Sequence, residues 1–218
     1  MHNEIMRLFA PHRNSENASS MERYMKNQFP FLGIKTPKRR ELVKQFFKES
    51  EILTKEFQPD LIRRLWALQE REYQYTALDY LNAFMKKLDA EHMPFLEELI
   101  RAKPWWDTVD SIAPNPLAAI AASYPEVREQ TIDGWAKGDH LWLRRSAILF
   151  QLKYKEKTDD ALLYHYISYN QGDKEFFIQK AIGWALREYS KTNKESVKQF
   201  IESSDLSRLS VREGSKYI

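Results

Sequence analysis

The segment LRRSAILFQLKY (143–154) can be laid over IQKAIGWALREY (178–189) with apolar positions in register and a tyrosine closing each, an offset of 35 residues. One period earlier lies Val109-Asp110-Ser111-Ile112, a further period earlier Tyr75, and one more Arg40. A unit of this length holds two helices. A chain of such units cannot bury its apolar faces singly and must stack them, so the pattern predicts an all-α fold, an α-solenoid of HEAT-like repeats rather than a closed bundle. Five units with capping helices at each end account for the whole chain. The expectation is therefore a single repeat domain over 1–218, with N-terminal capping helices over about 1–35.

Local signals agree with the period. Only six glycines occur in 218 residues, and apolar residues recur at three and four spacing, which favours helix throughout. Predicted helices cover 3–10, 15–27, 37–49, 59–67, 70–88, 91–102, 105–113, 116–122, 125–136, 140–154, 159–169, 175–191, 194–202 and 207–217. Thr36-Pro37 reads as an N-cap followed by proline at the first helical position, and Pro104 as lying just inside the start of the next such helix. Pro114 and Pro116 are expected to interrupt the chain after residue 113.

Equivalent positions of a solenoid line up along one surface, so Arg40, Tyr75, Asp110, Arg145 and Lys180 form a row on the inner helices. Trp106 and Trp184 lie one turn from Asp110 and Lys180 on the same faces. The row is basic and aromatic with one central acid. Each member also has a plainer reading. Trp106 can be core, Asp110 can be the ion-pair partner of Arg145 in the next repeat, and Gly183 can be a helix-packing contact beside Trp184. Trp105 and Asp107 are assigned to packing and to the favourable negative charge at a helix start. The basic clusters Lys38-Arg39-Arg40, Arg144-Arg145 and Lys153-Tyr154-Lys155 suit either a solvated face or phosphate contacts.

Composition removes several classes. The absence of cysteine excludes thiolate nucleophiles, disulfides and Cys-ligated zinc, and suits a reducing compartment. His2, His12, His92, His140 and His165 show no metal spacing, and no phosphate-loop, dinucleotide or nucleophile-elbow motif occurs, so neither metal nor cofactor is expected. No run of about 18 apolar residues and no signal-like N-terminus is present, which predicts a cytoplasmic protein without membrane contact. The net charge of +3 permits a polyanion partner only if positive charge is concentrated.

The residues MERYMKNQFPFLGIKTP (21–37), WWDTVDS (105–111), LRRSAILFQLKYK (143–155) and KEFFIQKAIGWALREY (174–189) resemble the AlkD family of bacterial DNA alkylation repair enzymes, over nearly the whole chain. The resemblance implies a monomeric, monofunctional DNA glycosylase of base excision repair, working at the nucleoid on double-stranded DNA through a concave face. It excises positively charged alkylpurines, N3-methyladenine and N7-methylguanine, without enclosing a flipped base. It further implies that Trp106 and Trp184 cradle the deoxyribose, that Asp110 is the catalytic carboxylate, that Arg145 grips the DNA backbone, and that Tyr24 adds an aromatic contact; Lys180 and Arg40 extend the basic row. The alternative is a non-catalytic HEAT-like DNA-binding or scaffold protein.

Overall fold

The computed structural model describes residues 1–218, and the chain resolves into two compact units, Met1–Lys87 and Leu88–Ile218. No strand forms, and no helix is long and apolar enough to cross a membrane.

The first unit holds α1 (His2–Phe9), α2 (Ser15–Tyr24), α3 (Thr36–Ser50), α4 (Pro59–Ala67) and α5 (Arg71–Phe84). Its core is apolar: Ile5, Phe9, Leu42, Phe46, Leu65, Tyr80 and Leu81 are buried. A buried carboxylate organises the loop before α3. Glu72 on α5 accepts the backbone N–H groups of Leu32, Gly33 and Ile34 at 2.9, 2.9 and 3.1 Å. Burial nevertheless pushes its carboxyl up from the ordinary value, against those hydrogen bonds. The turn they fix requires Gly33, at φ +82°, where a Cβ would lie 1.9 Å from the carbonyl oxygen of Asn14.

The α3 boundary differs from expectation by one residue. Thr36 is the first helical residue and Lys35 the N-cap, with Pro37 in the first turn. Arg39 is the buried arginine of α3; it pairs with Asp79 of α5 and lies over the Tyr75 ring at 5.6 Å, while Arg40 is exposed.

The second unit holds α6 (Met93–Arg101), α7 (Trp106–Ile112), α8 (Ala118–Ser123), α9 (Asp133–Lys137), α10 (Leu141–Leu149), α11 (Asp160–Asn170), α12 (Phe176–Tyr189), α13 (Lys194–Ser203) and α14 (Arg208–Gly214). Here the stacking that the 35-residue period demands is direct. α7 packs on α10, α10 on α12, and α12 on α14, while α9 packs on α11 in the other layer. Buried Val109, Ile112, Leu143, Ala147, Ile178, Ile182 and Leu186 fill the space between successive repeats.

Two expectations around α7 are corrected. The helix begins at Trp106, with extended Trp105 as N-cap, so Pro104 stands outside it. The chain also stays helical past residue 113: Ala113–Leu117 form a wider, π-type turn that leads straight into α8. The widening accommodates the prolines. Ala118 N–H reaches back five residues to the Ala113 carbonyl, and the Asn115 side-chain amide donates to the Ser111 carbonyl one turn back at 2.6 Å.

Candidate functional site

Asp110 sits on α7, one turn after Trp106, and faces α10. There it meets Arg145 in a two-pronged ion pair: Nε donates to Oδ1 and Nη2 to Oδ2, each at 2.8 Å. The third prong of the guanidinium, Nη1, donates to the Phe177 carbonyl in the first turn of α12 at 2.5 Å. One arginine thus ties three successive repeats together. Its side chain is 5% exposed, against 16% for Asp110, so the carboxylate is the member that solvent still reaches.

The electrostatics of Asp110 are a contest. Burial is the largest influence and pushes its carboxyl up from the ordinary value, and nearby Asp107 adds to the rise; the hydrogen bonds and charge of Arg145 oppose both. An arginine cannot deprotonate, so its bidentate grip favours the ionised carboxylate that burial disfavours. Each carboxylate oxygen has about two acceptor directions. Arg145 takes one of each, and the others are left for a water or a substrate.

The tryptophans flank this pair along their helices. Trp106 is half-buried one turn before Asp110. Trp184 is half-buried on α12, seven residues after Phe177 and hence on the same face, about 10 Å along the axis from the carbonyl that holds Arg145. Lys180 lies between them on α12 and is bound to Glu213 at 3.3 Å. Trp105 takes the packing role expected of it, with its ring 5.0 Å from Phe177 and 5.6 Å from Trp142. Gly183 is a packing contact: a Cβ there would lie 2.5 Å from the Glu213 Cβ.

Tyr24 and Arg40 belong to the first unit. Tyr24 ends α2 and is 72% exposed, before a sharp turn in which Lys26 and Asn27 have positive φ. Arg40 is exposed on α3, in line with Lys44 and Lys48 at successive turns.

Most of the basic clusters singled out in the sequence are already bound. Arg144 pairs with Asp173, Arg39 with Asp79 and Lys38 with Glu41, and Lys153 donates to Asn115 at 2.5 Å. The concentrated positive charge lies elsewhere. Lys180, Arg187, Arg212 and Lys216 all approach Glu213, at 3.3, 3.1, 3.8 and 2.8 Å. Local spacing in VREGSK hints at part of this group, but the joining of α12 to α14 is a tertiary fact that no periodicity displays. No group of three or more His, Asp or Glu side chains is placed to hold a metal ion.

Residues 5–218 match the family described as DNA alkylation repair enzyme. A solved structure described as a predicted DNA alkylation repair enzyme from Enterococcus faecalis is 38% identical, covers 94% of this chain and 96% of its own, and superimposes with a TM-score of 0.85. No curated protein sequence matches the chain.

Proposed function

The chain belongs to the DNA alkylation repair enzyme family, and on that premise we propose that it is a monofunctional DNA glycosylase for positively charged alkylpurines, N3-methyladenine and N7-methylguanine, in duplex DNA. The observation that carries this reading is the Asp110–Arg145 pair on the helix that bears Trp106: a partly exposed carboxylate held by an arginine that favours its ionised form.

The chemistry needs little more. A purine alkylated at N3 or N7 already carries positive charge, so the C1′–N bond can break with its electrons going to the base, which departs neutral. Positive charge then develops on the sugar, and water adds to C1′ and loses a proton. Asp110 stabilises the oxocarbenium charge through the oxygen directions that Arg145 leaves open, and it accepts the proton from water. The indole faces of Trp106 and Trp184 attract the cationic sugar through their quadrupoles. Arg145 acts chiefly as the holder of Asp110, which leaves two of its five N–H groups for a neighbouring phosphate. Tyr24 and Arg40 in the first unit, and Lys180 in the second, are each assigned a contact to DNA.

Selectivity follows from the charge of the lesion, so uracil and 8-oxoguanine are not substrates and no base-reading pocket is required. No lysine is assigned to Schiff-base chemistry, and the product is an abasic site. The enzyme acts as a monomer on a single HEAT-like repeat domain, in the bacterial cytoplasm at the nucleoid.

One observation favours a second reading. Three prongs of Arg145 are engaged within the protein, as in a purely structural tie of a non-catalytic DNA-binding scaffold. Base release from methylated duplex DNA separates the two. Wild type should release N7-methylguanine and N3-methyladenine well above the spontaneous rate, and Asp110→Asn should fall by at least two orders of magnitude. Release at the spontaneous rate by both proteins leaves only the scaffold.

A further inference from the structure

We propose that Glu213 assembles Lys180, Arg187, Arg212 and Lys216 into a binding site for the phosphodiester backbone of DNA, at the junction of α12 and α14.

Four cations within 4 Å of one carboxylate leave a local excess of three positive charges. A pair neutralises itself; this group cannot. The exposure is asymmetric in the sense a polyanion site needs. The Glu213 side chain is 9% exposed, while those of Arg187, Lys180, Lys216 and Arg212 are 26%, 37%, 47% and 72% exposed. The carboxylate is covered, and the cations present their outer N–H groups to solvent.

The backbone under the carboxylate is fixed. α14 lies so close to α12 that Gly183 has no room for a side chain, with the Glu213 Cβ 2.5 Å and the Ser210 carbonyl oxygen 3.1 Å from where its Cβ would be. Ser210 Oγ also donates to the Gln179 carbonyl at 3.0 Å. Glu213 therefore holds Lys180 and Arg187 on either side of Trp184, at spacings of four and three residues that keep all three on one helical face. The other carboxylate near the end of α12, Glu188, is bound to Lys191 at 2.7 Å and does not offset the group. A site of this kind has no base specificity. It adds a sequence-independent, salt-dependent grip beside the indole proposed to meet the sugar, and it needs only a DNA partner, not the glycosylase chemistry.

The experiment is fluorescence anisotropy of an undamaged duplex oligonucleotide, titrated with the full-length protein over a range of salt concentrations. Arg212→Ala/Lys216→Ala should reduce the slope of log affinity against log salt by about 2 and weaken binding at 0.1 M salt by roughly one to two orders of magnitude. Lys194→Ala/Lys198→Ala on α13 removes the same charge away from the group and should keep the wild-type slope. Glu213→Gln raises the net positive charge by one, yet should bind more weakly because its cations lose their common anchor. An unchanged slope in the Arg212/Lys216 variant overturns the proposal. So does an equal fall in the α13 variant, which would make the effect one of bulk charge, or tighter binding by Glu213→Gln, which would make the carboxylate a competitor. A structural ion cluster alone would shift thermal stability and leave the slope untouched. Because the duplex is undamaged, a wild-type protein without base-release activity would defeat the glycosylase reading and leave this measurement intact.

Discussion

Arg145 and Asp110, one repeat period apart in the chain, close a bidentate ion pair with both N···O distances at 2.8 Å. Removing one partner of a largely buried pair leaves the other uncompensated. Arg145→Ala is therefore expected to destabilise the fold by roughly 3–5 kcal/mol, and the Arg145→Ala/Asp110→Ala double variant by less than the sum of the singles. Urea unfolding of the four proteins in the cycle measures the coupling. Additive losses would mean that the two residues do not interact.

Gly33→Ala should be severe for a residue that gains one methyl group. Its backbone lies at φ +82°, and the new Cβ would be 1.9 Å from the Asn14 carbonyl oxygen. Either the turn or α2 must move, and the three hydrogen bonds to Glu72 move with it. A loss of about 2–4 kcal/mol is expected in chemical unfolding. A loss below about 0.5 kcal/mol would show that the loop adapts freely.

Acid should act on the C-terminal helices through Glu213. Its hydrogen bond from Lys216, with the contribution of Lys180, holds its carboxyl down at about 2, below the ordinary 4.5. A depressed carboxyl stabilises the fold fully above its unfolded value. That contribution is lost as pH falls from about 4.5 through about 2. Glu213→Gln should thus be less stable than wild type at pH 7, with the difference shrinking over this window. A difference that persists unchanged at pH 2 would assign the defect to packing instead.

Asn115→Ala removes two ties at once, the local donor to the Ser111 carbonyl and the tertiary acceptor for Lys153. The expected cost is about 1–3 kcal/mol in thermal or urea unfolding, because two side-chain hydrogen bonds are lost together. A neutral outcome would mean that water replaces the amide without loss.

The pairing of Asp110 with Arg145 was legible in the sequence because the period places them in register and carries opposite charges to the same row. The helix series was legible for the same reason, since burial in a stacked solenoid imposes one spacing on every unit. Lys38-Arg39-Arg40 shows where that reasoning stops: adjacent arginines differ by about 100° around a helix, so Arg39 turns inward to Asp79 while Arg40 stays exposed, and the period does not display that pairing. Pro114 and Pro116 misled differently: a missing N–H predicts a break only if the ladder must remain i to i−4, and the wider turn lets the helix continue with Ala118 bonded to Ala113. The Glu213 group joins Lys180 and Arg187 of the last aligned repeat to a helix beyond it, and the meeting of those two helices depends on a glycine rather than on an apolar stripe.

The wide turn at Ala113–Leu117 is in effect a one-residue insertion carried inside a continuous helix. α7 and α8 are two registers of a single rod, and the extra residue turns everything after it by about 100° relative to what comes before. Deleting one residue from this turn would leave Trp106 and Asp110 on their face and swing the buried side of α8 toward solvent. The face that bears the carboxylate and the face that closes the core can therefore be adjusted independently along one stretch of chain.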